Sequence, residues 1–169
     1  MKKRKKRKPK IADKKRRGEW AEMHFMVRAT DHDLPVSKPW GDSRSFDFVV
    51  GWPGRFVAVQ VKSTTLEVES GGYACSVCTS GKPYAPGSFD FLAAYVIYDD
   101  AWYIIPAQEF LGQAWVVVYP QSVKSKYAKY REAWHLLAPD PAPGYIDSIK
   151  ACAEEFPAES DQAETSFLE

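Results

Sequence analysis

The stretch from Phe46 to Thr64, FDFVVGWPGRFVAVQVKST, constrains this chain most. It reads as two strands, Phe46–Val50 and Arg55–Thr64, joined by the turn formers Gly51-Trp52-Pro53-Gly54. On the second strand Val57, Val59 and Val61 share one face, and Ala58, Gln60 and Lys62 share the other. Asp47 stands between two phenylalanines on the first strand. A turn near position 53 sets Asp47 opposite residues 58 to 60, so Asp47, Gln60 and Lys62 converge at one end of a hairpin. Polar groups on apolar strands cost free energy to bury. An acid, an amide and an ammonium in such a place mark a candidate site.

The segment before the hairpin supplies a second acid. Gly18 to Ala29, GEWAEMHFMVRA, is rich in helix formers and free of proline, and it predicts a helix. Glu22, Phe25, Met26 and Ala29 fall on one face by three-four spacing. Glu22 thus lies on or beside an apolar stripe. Glu19 lies in the first turn, where an acid suits the helix dipole.

Beyond the hairpin the pattern predicts strands at Tyr73–Thr79, Phe91–Tyr98, Ala101–Ile105 and Trp115–Tyr119. Gly81–Ser88 reads as a loop and Asp99-Asp100 as a turn. Ser122–Leu137 reads as a helix with Tyr127, Tyr130, Trp134 and Leu137 on one stripe, and Tyr145–Phe156 as a short helix. Helix, hairpin and further strands predict an α/β fold.

Charge divides the chain into three parts. Residues 1–17 hold twelve Lys or Arg and one acid, and residues 140–169 hold eight acids and one base. The expected organisation is a disordered basic arm over 1–17, a domain over 18–138, and a Pro-rich linker with an acidic tail over 139–169. The arm suits phosphates, or is simply a solvated tail. No apolar run approaches the roughly 20 residues that span a bilayer, and no apolar segment of a secretory signal follows the basic head. Three cysteines give no disulfide framework, which fits a reducing cytoplasm. Cys75 and Cys78 point to opposite faces of a strand and lack a second pair, so they read as inert core residues. His24 reads as a surface histidine.

Spacing alone leaves two readings of Glu22, Asp47, Gln60 and Lys62. One is an Asp–Lys ion pair at a sheet end. The other is a Mg²⁺ or Mn²⁺ site with Glu22, Asp47 and Gln60 as hard oxygen ligands. Lys62 would then orient water or stabilise charge on a phosphate. Lys38 and Arg44 in the preceding loop are candidate phosphate contacts; Ser63 and Thr64 after the lysine either contact phosphate or are ordinary strand-end residues. Trp40 and Trp52, in loops, are the aromatics best placed for nucleic acid. Lys124, Lys126, Lys129 and Arg131 either touch phosphates or form a solvated face.

The order G-E-W-A-E (18–22), K-P-W-G-D-S-R-S-F-D (38–47) and V-Q-V-K-S-T (59–64) resembles the PD-(D/E)XK nuclease superfamily. It is most similar to the branch related to group I intron-encoded endonucleases, and more distantly to archaeal Holliday-junction resolvases. The resemblance covers about residues 18–138. It implies a restriction-endonuclease-like core, with a central mixed sheet flanked by helices. It also implies a metal-dependent endonuclease acting on DNA, of homing-endonuclease, mobile-element or repair type, cytoplasmic and nucleoid-associated. Glu22 falls on the helix glutamate, Asp47 on the metal-binding aspartate and Lys62 on the catalytic lysine. Gln60 stands where most of the superfamily has an acid, although the intron-endonuclease branch admits Gln. The loss of one anionic ligand motivates the alternative, an inactive nucleic-acid-binding module on the same fold. Relatives act as dimers or tetramers, so the resemblance also implies a homo-oligomer.

Overall fold

The structure is a computed structural model and describes residues 11–41, 43–52 and 55–138. The chain enters through α1 (Lys14–Asp31). Asp13 caps it, its carboxylate accepting the Arg16 N–H at 2.7 Å. The helix therefore starts ahead of the expected Gly18 and absorbs Lys14–Arg17 from the basic run. Residues 1–10 of that run lie outside the described residues. Ala21, Phe25 and Ala29 form the buried stripe of α1, and Glu22 and Met26 flank it half-buried.

Then follow β1 (Val36–Ser37), β2 (Phe48–Trp52) and β3 (Arg55–Thr64). The hairpin register pairs Phe48 with Val59, Val50 with Val57 and Trp52 with Arg55. β2 starts two residues later than expected and takes in Gly51 and Trp52; residues 53 and 54 lie outside the described residues. The expected strand Tyr73–Thr79 breaks at Val77 into β4 (Tyr73–Ser76) and β5 (Cys78–Thr79). The expected loop contains β6 (Lys82–Pro83), which pairs with β5. β7 (Phe91–Val96), β8 (Ala101–Pro106), a 3-10 turn at Ala107–Phe110 and β9 (Trp115–Val118) complete the strands.

The central sheet runs β1-β2-β3-β7-β8, parallel between β3 and β7 and antiparallel elsewhere. The α/β expectation with a mixed sheet is met. On one face α1 packs Ala21, Phe25 and Ala29 against Phe48, Val50, Val59 and Val61. On the other face the β4–β9 ribbon packs Tyr73, Cys75, Val116 and Val118 against Leu92, Ala94 and Ile105. Thus a two-stranded ribbon, not a helix, forms the second layer among the described residues. β7 and β8 are covered on both faces, which explains their continuous apolar runs.

Ser122–Leu137 is not the expected helix. It forms turns with 3-10 segments at Ala128–Tyr130 and Trp134–Leu137. All four stripe residues are buried, but Tyr127 and Tyr130 join the ribbon-side core while Trp134 and Leu137 join the helix-side core. One helix face cannot serve both sides of a sheet. The segment instead wraps the free edge of β8. Glu132 N–H donates to Trp102 O at 2.9 Å, and Trp102 N–H donates to the Glu132 carboxylate at 2.8 Å. These bonds occupy backbone groups that an edge strand leaves open, and they hold Glu132 at φ 49°. The expected helix at Tyr145–Phe156 and the acidic tail lie outside the described residues. No helix among the described residues is long and apolar enough to cross a membrane.

Gly51 sits at φ +123°, and a Cβ there would stand 2.3 Å from the Arg55 carbonyl oxygen. Both the backbone conformation and the space exclude a side chain. Gly51→Ala is expected to cost about 2–3 kcal/mol, read as a lowered urea midpoint. An unchanged midpoint would show that the hairpin does not need this close approach.

Candidate active site

The backbone ladder between β2 and β3 ends at Asp47. Its N–H donates to Val59 O at 2.9 Å. Beyond that point its side chain continues the pairing: Oδ2 accepts the Val61 N–H at 2.8 Å and the Gln60 Nε2 at 2.5 Å. Gln60 is only 6% exposed and also donates to Val61 O at 3.2 Å. A buried amide is tolerated because these partners satisfy its donors. The expected pairing of Asp47 with this part of β3 is what the register produces.

Glu22 reaches the same region from α1. Its carboxylate accepts the Lys38 Nζ at 2.8 Å and is 24% exposed. Lys38 also lies 5.7 Å from the centre of the Phe48 ring. Lys62 projects from the Gln60 face of β3, with its Nζ 5.6 Å from the Tyr84 ring centre. Burial pushes the Asp47 carboxyl up to about 6, against the Val61 N–H that favours its anion; the Glu22 charge raises it further, and Lys62 and Lys38 pull it down. Two carboxylates and two ammonium groups therefore share one electrostatic neighbourhood, at the point where β2 and β3 part. Among the described residues no three His, Cys, Asp or Glu side chains form a ligand cluster. The acids here number two, with the Gln60 amide beside them.

The other sequence candidates are dispersed. The Thr64 hydroxyl is buried, donates to Ala74 O at 2.5 Å and accepts the Leu66 N–H at 3.0 Å, so it joins β3 to β4. This hydroxyl is thereby withdrawn from phosphate. Ser63 is half-buried and, one residue on from Lys62, faces the other side of the sheet. Arg44 is exposed in the loop before β2. Lys126 Nζ donates to Glu109 O at 3.0 Å, Lys129 pairs with Glu109 at 3.6 Å, and Arg131 donates to Pro120 O at 2.8 Å. These three cations are engaged with the protein itself.

A family model described as PD-(D/E)XK endonuclease matches residues 12–137. The chain belongs to the PD-(D/E)XK endonuclease family. Its fold is similar to that of a bacterial homing endonuclease, I-Ssp6803I, with a TM-score of 0.63 and 27% identity over 84% of this chain and 98% of that one. No curated protein matches the sequence. The homing-endonuclease-like resemblance read from the motifs is thereby met.

In this PD-(D/E)XK chain, sequence reasoning missed one neighbour of the site, Tyr84, which lies under Lys62. Lys38 was a candidate phosphate contact and is found paired with Glu22; no motif spacing links either pair. His24 is not a lone surface histidine. It stacks on Trp20 at 5.4 Å and lies 4.9 Å from the Tyr95 ring, and the four-residue step from Trp20 on α1 was the available signal. Cys75 is buried and free, with burial raising its thiol to about 12, which makes it inert as expected.

The raised Asp47 carboxyl fixes the sign of a pH dependence. The folded state binds this proton more tightly than the unfolded chain, whose carboxyl titrates near 3.8. The stability it contributes is therefore full below about 4 and is lost as pH rises through about 6. With chelator present, thermal unfolding scans are expected to show the melting temperature falling across this window, and Asp47→Asn flattening that slope. A slope that persists in Asp47→Asn would assign the effect to another group.

Proposed function

We propose that this protein is a metal-dependent endonuclease that hydrolyses DNA phosphodiester bonds. The observation that carries the reading is the Asp47 carboxylate, held by Gln60 and Val61 where β2 and β3 part, with Glu22 and Lys62 in electrostatic reach. Family membership and the homing-endonuclease fold support the nuclease class.

The residues fit a divalent cation. Burial and a neighbouring carboxylate both penalise the Asp47 anion, and a cation between two such acids removes that penalty. Glu22 and Asp47 would hold Mg²⁺ or Mn²⁺, with the Gln60 amide oxygen as a neutral third donor. When bound, the ion polarises the phosphoryl oxygen and makes hydroxide available near neutral pH.

The chain's own groups do the rest. Gln60 and the Val61 N–H fix the Asp47 carboxylate so that one oxygen carries both bonds and the other is left for the reaction. Lys62 orients the attacking water and offsets the charge that builds on the phosphate. Lys38 holds the Glu22 carboxylate in place. Arg44 remains a candidate phosphate contact. One such site cuts one strand, so double-strand cleavage calls for a homo-oligomer, a dimer or tetramer. A mobile-element or repair role, at the nucleoid in the cytoplasm, follows from the same reading.

A second reading has its own observation. Gln60 turns its amide nitrogen toward Asp47, and a glutamine removes an anionic donor from the site. A nucleic-acid-binding module without catalysis would be built in the same way.

The purified full chain, given Mg²⁺ or Mn²⁺, is expected to cut linear, nicked or four-way DNA. Asp47→Ala and Lys62→Ala are each expected to lower the rate by about 10²-fold or more while retaining DNA binding. Binding without cleavage in the wild type would establish the module reading. Cleavage equal in wild type and Lys62→Ala would remove Lys62 from the mechanism.

A further inference from the structure

Trp40 is 98% exposed, against 43% for Trp52. A packed tryptophan buries about 150–250 Å², and within this chain Trp40 gains almost none of that. Its position is specific. β1 pairs Ser37 with Val49, so the chain leaves the sheet beside the Asp47 end of the hairpin and returns there through Asp47. Both feet of this loop are anchored. Lys38 holds Glu22 at 2.8 Å, and the Ser45 hydroxyl donates to Ser88 O at 2.6 Å. Between them Trp40 stands in solvent, with Gly41 turning the chain at φ +79° and Arg44 exposed further along. Trp52 lies at the other end of β2, four residues from Phe48, or about 13 Å along the strand.

We infer that Trp40 is a base-stacking residue: its indole stacks on an unstacked base of the DNA strand held at the Asp47 site, with Arg44 on a neighbouring phosphate. This rests on the DNA-cleaving reading. The chemistry is complementary, since a nucleic acid strand alternates flat apolar faces with anions, and the loop presents a flat apolar face and a cation. Anchored feet restrict where the loop backbone carries the indole, so less backbone ordering entropy is lost when a base meets it. The contact is indifferent to base identity because every base offers a π-face.

The test uses the full chain with Ca²⁺ and two mixed-sequence probes, a duplex and a single strand, both substituted with 5-iododeoxyuridine. Trp40→Ala is expected to weaken binding by about tenfold, Trp40→Phe to retain most of the affinity, and Trp52→Ala to bind as the wild type. Long-wave ultraviolet light is expected to crosslink the probe to Trp40. The melting temperature of Trp40→Ala should match the wild type, because the side chain packs against nothing. Wild-type affinity in Trp40→Ala, a crosslink confined to other residues, or a change of oligomeric state without DNA would overturn the inference. If the wild type cuts DNA while Trp40→Ala binds equally well, only the stacking role falls. If the wild type neither binds nor cuts DNA, the DNA reading falls and the stacking role with it.

Discussion

The register of β2 on β3 is the constraint on which the rest of this structure depends. With Phe48 opposite Val59, the side chains of Phe48, Val50, Val59 and Val61 all lie in the core that α1 shares. The same register brings Asp47 level with Gln60 and the Val61 N–H. A slip of one residue would turn the valines to the ribbon side and the amide and ammonium into the helix-side core. Hydrophobic burial on one face thus fixes the geometry of the polar groups at the hairpin's end. The close approach at Gly51 holds that register from the turn end, where a side chain would meet the Arg55 carbonyl.

Position within the sheet explains why the polar cluster is tolerable. It sits where two strands part, so the Asp47 side chain takes over a backbone pairing role and satisfies the Val61 N–H. Helix α1 contributes Glu22 from one layer, and β3 contributes Lys62 toward the other. The charges meet at the boundary between two apolar cores without entering either. The cost of holding them there is visible in the raised Asp47 carboxyl. Burial outweighs the attraction of nearby cations, which is the condition under which a bound divalent cation gains most from the acids.

The hairpin, the first helix and the run of strands were legible because their hydrophobic periods are local. β3 appears with its expected bounds. The break at Val77 was not legible, because β4 pairs with β9 and β5 with β6, partners that no local pattern names. The helix expected at Ser122–Leu137 failed for a related reason. Three-four spacing located four buried aromatic and aliphatic residues correctly, but the segment divides them between the two faces of the sheet and bonds to the edge of β8. Likewise, the motif left Thr64 as either a phosphate contact or a strand-end residue, and it proves to be a link to Ala74.

What the sequence determined alone is the identity and order of the chemistry: an acid on a helix, an acid entering a strand, and Gln-Val-Lys leaving the next. Those residues, with their spacing, place the chain in its family. Tertiary structure decided which groups meet. It paired Lys38 with Glu22, set Tyr84 beneath Lys62, engaged Lys126, Lys129 and Arg131 within the protein, and left Trp40 in solvent beside the site while Trp52 stands at the far end of the hairpin. The physical reason is that periodicity reports which face a side chain takes on its own element. Contact between elements depends on how the layers pack, and that packing is set by the whole chain at once.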